Sequence, residues 1–595
     1  MPDLNVAFGG GILVAPGAYY QDNVAAALEA TIPTTPPLIF IGYGYGQQPQ
    51  VPVTYGTPQA LLNAIRGGPC SGYVPFLMQP STQLLGAQQV TFINCGENTQ
   101  STLTLLSGTS GVILLTSTNY GLPSNLLQVQ VQSGSIAGRK VTLYDAYSGQ
   151  QFAQDNLGVP FQVAYNGASS GVTYSVAVSG GLATTFSISS PVSGESVTIP
   201  LNPANYGTIS QVVQYLNGTG HYTAAVVSEG ALLSSALDSA SSISLPVSGA
   251  SLTYKNVTAT LGDIEFWVNT QASSLATATQ VSGVTSSPGV IPNVLAFTPF
   301  AGAVSVPPTL TDYANALNVA LTQAGWTVFC DSNAAGVVAL LTSHCFTASQ
   351  PAQGRWRRGF AGSSTGQSVA ASISQAQACD SITMCYVHGG VYQTSTVTGL
   401  NTLYGGHYVA AACAGMAAAN APATPLTNKS ITGNGTEFNL TGGPAGQIDQ
   451  LQQGGVIPFT TSQITGEPTV ISDFTTWQID ANPENVFTQQ VACRWWLAYT
   501  LRNAAQPYIG TIADPVTEIN ILKAIKAALN LLIYSQGNPN GVLVSWDPNS
   551  LSLTYTGAQQ LAAVTVNVIL VGQNRFITET VNVLPLNFTI TNAAA

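Results

Sequence analysis

The apolar positions of this chain change period several times, and the sharpest change falls near its end. Between Asp514 and Gly537, the residues Ile519, Leu522, Ile525, Leu529 and Leu532 recur every three or four positions, which predicts an amphipathic helix. Asp514 supplies an N-cap oxygen, Pro515 suits the first helical position, and Gly537 can take the left-handed conformation that closes a helix. Lys523 and Lys526 lie three residues apart on another face. From Val564 the period falls to two, with Val564, Val566, Val568 and Leu570 alternating with polar residues. A turn at 572–574, a returning strand at 576–583 and a last strand at 586–591, after Pro585, complete the pattern. That last strand carries Leu586, Phe588 and Ile590 and has no partner in the sequence. An unpaired edge aggregates, is covered, or is offered to another subunit.

The rest of the chain alternates between two textures. Residues 1–23 are glycine-rich and pass through Ala15, Pro16 and Gly17, so they read as an extended arm. A buried strand at 38–42, a helix at 57–68 and strands at 90–94 and 112–117 open an α/β layer over 24–123. From 124 to 305 short alternating strands and Ser/Gly/Thr turns predict one or two β-rich inserted domains, with short helices at 209–216 and 261–270. After Pro307-Pro308 the α/β texture returns over 306–425, with helices at 313–324, 334–342, 367–378 and 408–419 and strands at 327–330 and 382–388. The region 426–585 adds a long helix that starts at Asn482-Pro483 and buries Val491, Trp495, Leu497 and Leu501. Residues 586–595 form a second arm. The fold class is therefore a multidomain α/β or α+β chain, built from N- and C-terminal segments around a β-rich insertion.

Composition changes what these surfaces are for. Charged residues make up 6% of the 595, against about 25% in ordinary soluble proteins. A surface so poor in charge is protected when neighbours in an assembly cover it; the other reading is a secreted β-protein solvated by its hydroxyls. The net charge of −11 opposes nucleic-acid binding by bulk attraction. The first residues show no secretory pattern, and no apolar run has the length of a membrane span. The most apolar stretch, 407–421, is broken by Gly415 and reads as an internal helix. Assembly in the cytoplasm, without membrane insertion, is the expectation.

Candidate chemistry is sparse. Gly42-Tyr43-Gly44-Tyr45-Gly46 follows a strand, but Pro49 and Pro52 stand where a phosphate-binding helix would begin. Gly362-Ser363-Ser364-Thr365-Gly366 matches Gly-x-Ser-x-Gly, with Asp380 and His388 or His407 in hydrolase order. Such a pentapeptide is common in a Gly/Ser-rich chain, and no oxyanion loop precedes it. The four histidines stand apart and read as structural, so no catalytic, metal or cofactor site is expected. Arg355, Arg357 and Arg358 read as a solvated turn or as a partner for an acidic neighbour.

Several stretches, taken in order, resemble the tail sheath proteins of contractile phages and related injection machines. They are Ala15-Pro16-Gly17, the Leu38 strand with the 57–68 helix, Asn119-Tyr120-Gly121-Leu122 with Asn125, the 408–419 helix running into Pro425-Leu426-Thr427-Asn428-Lys429, 473–476, Arg502, Tyr508-Ile509-Gly510, and the final helix and strands. The likeness spans about the first 130 residues and the last 290, with Phe300-Ala301-Gly302-Ala303 where sheaths often carry Gly-Gly. It implies a structural, non-enzymatic subunit of a virion tail that stacks as rings or a helix around a tail tube. Contraction then drives the tube through the host envelope. The partners implied are further copies of the chain, the tube protein, and baseplate and tail terminator proteins. Ala15, Pro16, Gly17, Leu586, Phe588 and Ile590 would lie in arms that add strands to a neighbour, and Lys523 and Lys526 would face an acidic tube. Competing readings are a baseplate or tube component and a serine hydrolase.

The eight cysteines contain no metal-binding spacing. In a particle released to an oxidising medium, Cys70, Cys95, Cys330, Cys345, Cys379 and Cys385 are candidates for disulfides between subunits. Cys70 and Cys95, read as loop residues, are the best placed. Cys379 and Cys385 can pair only if the chain reverses at 380–382. Cys413 and Cys493 fall inside predicted helices and read as buried thiols.

Overall fold

Runs of apolar residues that alternation cannot explain become strands buried on both faces, as a parallel sheet requires. In the computed structural model, Thr327–Cys330, Arg358–Gly362, Met384–His388 and Val456–Thr461 lie side by side in that order, all parallel. Pro468–Val470 pairs antiparallel with the last of these, and Lys429–Ser430 pairs with it in turn. The structure describes residues 6–8, 11–13 and 36–573, apart from 250, 351–352, 396–398, 444, 463–464, 536 and 558–559. Ala15, Pro16, Gly17, Leu586, Phe588 and Ile590, and the strands expected at 576–583 and 586–591, lie outside the described residues.

The chain divides into two compact units, one of residues 1–39, 75–90 and 324–595 and one of 40–74 and 91–323. In the first, helices Ala335–Ala348 and Val369–Cys379 make the crossovers between successive parallel strands. Helix Gly406–Ala419 is buried along nearly its whole length because its side chains are small. A Cβ on Gly415 would stand 2.1 Å from the Leu77 carbonyl oxygen, so only glycine lets the backbones approach. The expected continuous helix from Asn482-Pro483 is two helices, Pro483–Val486 and Thr488–Ala505, because Phe487 is extended between them. The buried residues Val491, Trp495, Leu497 and Leu501 are those expected.

The second unit carries the whole β-rich region, organised around two apolar cores. One core lies between the sheet of Gln100–Ser107, Ser110–Tyr120 and Ala276–Gln280 and the sheet of Leu127–Ser133, Arg139–Asp145, Gln151–Leu157 and Leu295–Pro299. Helix Gly262–Thr270 inserts Trp267 into it. The other core is nested within this chain path. It gathers Phe161, Val163, Phe186, Ile199 and the apolar face of helix Ile209–Gly218, which a Thr208–Gln211 capping box begins. The β-rich packing thus starts near residue 100 rather than 124, because the 100–107 and 110–120 hairpin joins it.

Helix Pro58–Ile65 ends in this unit at Arg66, in a left-handed conformation. The Arg66 guanidinium makes a two-pronged ion pair with Asp145 at 2.8 and 2.9 Å, both side chains nearly inaccessible to water. Burial alone would push the Asp145 carboxyl up, but hydrogen bonds from Arg66 and Ser148 hold it below the usual carboxylate range.

Candidate functional site

The surface that the sequence singles out is built on helix Pro515–Leu531. Its cap forms as expected, the Asp514 carboxylate accepting the Thr517 N–H at 2.7 Å. Its buried face is Ile521, Ile525, Ala528 and Leu529, followed by Leu532, packed with Cys493, Trp496, Leu497, Leu501, Val542, Leu543 and Val566. Two expected core residues are corrected: Ile519 is 52% exposed and Leu522 only half-buried. The helix is rotated so that Ile521, rather than Ile519 or Leu522, faces the residues that cover it. The helix also stops at Leu531 rather than near Gly537, because Leu532 turns to accept the Val542 and Leu543 N–H groups on its carbonyl.

Opposite the buried face, Val516, Ile519, Lys523 and Lys526 form one exposed stripe, two apolar residues and then two cations. Ile512, 80% exposed, continues it beyond the cap. Neither lysine meets a carboxylate among the described residues. Two hairpin-like pairs lie beyond the helix, Leu543–Trp546 with Val568–Leu570 and Ser552–Thr556 with Leu561–Thr565. Among the described residues each of these sheets has two strands, and Ile533 bridges to Leu543 beside the first.

A buried polar cluster fixes the chain where it leaves these strands. The fully buried Asp473 carboxylate accepts from Thr427 Oγ1 at 3.0 Å and from Gln573 Nε2 at 2.7 Å. Gln489 Nε2 donates to the Val571 carbonyl at 2.9 Å. Burial pushes the Asp473 carboxyl up despite these donors. Sequence reading placed Asp473 in a family-like stretch, but nothing in its spacing pointed to residue 573.

The other candidates take structural contacts. In Gly-x-Ser-x-Gly, a Cβ on Gly362 would stand 2.3 Å from the Gly406 oxygen, Ser363 accepts the Gly389 N–H at 3.3 Å, and Ser364 accepts from Asn333 at 2.8 Å. His388 bonds Ser372 at 2.8 Å and stacks on Phe438, and His407 bonds the Cys330 carbonyl at 2.9 Å. Burial holds both imidazoles down at about 4, in the neutral form. The pentapeptide therefore packs a strand against a helix start, with neither histidine on Ser364. The solvated arginine turn holds for Arg355, which is exposed, and is corrected at the other two: Arg357 is fully buried against His344 Nε2 at 3.0 Å, and Arg358 is half-buried.

All eight cysteines carry thiols, and seven are buried. Cys70 sits in the 3₁₀ turn Pro69–Tyr73 and Cys95 directly after strand Val90–Asn94, both closed to water, so neither is at the surface position expected of it. Cys330 and Cys345 are equally buried, and burial pushes their thiols up, Cys345 to about 12. The chain does reverse between Cys379 and Cys385, where Asp380 turns left-handed, but Cys379 bonds the Gln375 carbonyl and Cys385 bonds Thr488.

No protein-family model matches the chain. It is 27% identical over 469 residues, 76% of either protein, to the tail sheath protein of Bacillus phage SP01. Its fold is similar to that of the sheath tail protein from Listeria innocua, at a TM-score of 0.55 and 11% identity over 91% of this chain and 93% of that one. The sheath tail protein from Desulfitobacterium hafniense aligns at a TM-score of 0.48 and 10% identity, over 92% and 99% respectively. In sequence over three quarters of its length, and in fold over nine tenths, the chain is similar to tail sheath proteins.

Proposed function

We propose that this chain is the structural subunit of a contractile tail sheath. It polymerises around a tail tube in the host cytoplasm, as part of a virion tail, and contracts to drive the tube through the host envelope. The observation that carries this reading is the 27% identity to a phage tail sheath protein over 469 residues, with which the shared fold agrees. Work is then stored in the lattice. Each subunit needs two packings that differ modestly in free energy and a connector that survives the change.

The exposed stripe of helix Pro515–Leu531 is the face we assign to the tube, where Lys523 and Lys526 meet acidic groups. These strand pairs are where terminal arms of neighbouring copies, around Ala15, Pro16 and Gly17 and around Leu586, Phe588 and Ile590, would add strands. Baseplate and tail terminator proteins would cap the two ends of the cylinder. Electron microscopy of the purified chain tests this: hollow cylinders are expected from the full chain, and not after removal of residues 1–20 and 586–595. A chain that stays monomeric at high concentration, with and without tubes, would refute the sheath reading.

A further inference from the structure

Arg358 opens a parallel strand, and its side chain lines a cavity of about 260 Å³ together with Trp326, Trp496, Ala417, Asn540 and Pro36. The guanidinium donates to a single carbonyl, Ala417 O, and meets no carboxylate at ion-pair distance among the described residues. Asp473 acts on it through space only, without reaching ion-pair distance. Trp496 lines the same cavity, and its buried indole N–H has no acceptor among the described residues. A half-buried cation beside an unmatched donor is costly until an anion arrives. The planar guanidinium selects a carboxylate, which it can hold by two parallel bonds.

We propose that the Arg358 cavity receives an Asp or Glu side chain from a second copy of this chain, making it a subunit-joining socket. Charge balance favours this occupant. The chain has 24 acidic and 13 basic residues, so carboxylates outnumber cations in any assembly of identical copies. Exposed acids such as Glu467 and Asp547 stand at the surface. The alanines and tryptophans around the guanidinium exclude water and strengthen the pair once it forms.

The proposal rests on the chain polymerising, and its test separates the two. Isotopically heavy and light R358K subunits are mixed, assembled, and treated with a zero-length carbodiimide that joins an amine to a carboxylate. The expected result is a crosslink between position 358 of one isotope and an Asp or Glu of the other, in assembled material and absent from unassembled subunits. R358M, which removes the charge and keeps the length, should raise the concentration needed for assembly by about tenfold or more. Crosslinks confined to one isotope would mean that the socket is filled from within the same copy and would overturn the proposal. So would R358M assembling like the unaltered chain. Failure of the unaltered chain to polymerise would overturn the sheath reading, and the proposal with it.

Discussion

Two single residues show how little slack the interior has. At Gly415 the 2.1 Å approach to the Leu77 carbonyl leaves no room for a methyl group, so G415A should destabilise the fold by roughly 1–3 kcal/mol, read as a lower melting temperature by calorimetry. Asp263, in the first turn of helix Gly262–Thr270, accepts from Gly158 N–H and Ser228 Oγ, yet burial, with Glu229 and Asp238 adding to it, raises its carboxyl from 3.8 to about 7. A carboxyl raised on folding gives stability that is fully present below its ordinary value and lost as pH rises through the raised one. The difference is on the order of 4 kcal/mol. Between pH 5.5 and pH 8 the unaltered chain should therefore lose melting temperature relative to D263N, since the buried neutral His388 and His407, which act in the opposite direction, are common to both. An unchanged slope in D263N would place the proton uptake elsewhere.

At the scale of elements, Arg66 ties the end of helix Pro58–Ile65 to the end of strand Arg139–Asp145. Breaking this buried pair with R66M should cost roughly 3–5 kcal/mol, and R66M/D145L should recover part of the loss, because no unpaired charge then remains. Asp145 also works opposite to Asp263: its contribution is present above the ordinary carboxylate value and lost as pH falls through the depressed one. Reversing both charges on the final helix, K523E with K526E, should weaken co-sedimentation of the chain with tubes at low salt and leave its melting unchanged. Much of this was legible in the sequence. Strands such as Leu38–Gly42, Phe161–Tyr165 and Thr327–Cys330 fall where apolar runs placed them, and Asp514 caps the helix as its position requires. The rotation of that helix was not legible, because Ile519 and Ile521 are equally apolar and only the covering residues 493–501 and 542–566 decide which is buried. Nor were the sites that depend on pairs distant in sequence. Arg66 with Asp145 and Asp473 with Gln573 leave no local spacing, and Arg358 looked like one of three solvated arginines until Trp326 and Trp496 closed around it.

For the molecule as a whole, the outer surface combines scarce charge with large apolar side chains left in water, among them Ile512, Ile479, Leu400, Val516 and Leu531. Apolar surface buried on association lowers the heat capacity, and near room temperature the drive to bury it comes from released water rather than from heat. The polymerisation proposed for this chain should then strengthen on warming and weaken in the cold. The critical concentration for cylinders, measured by sedimentation, should fall between ice and room temperature. A tail built from such subunits would be cold-labile during assembly.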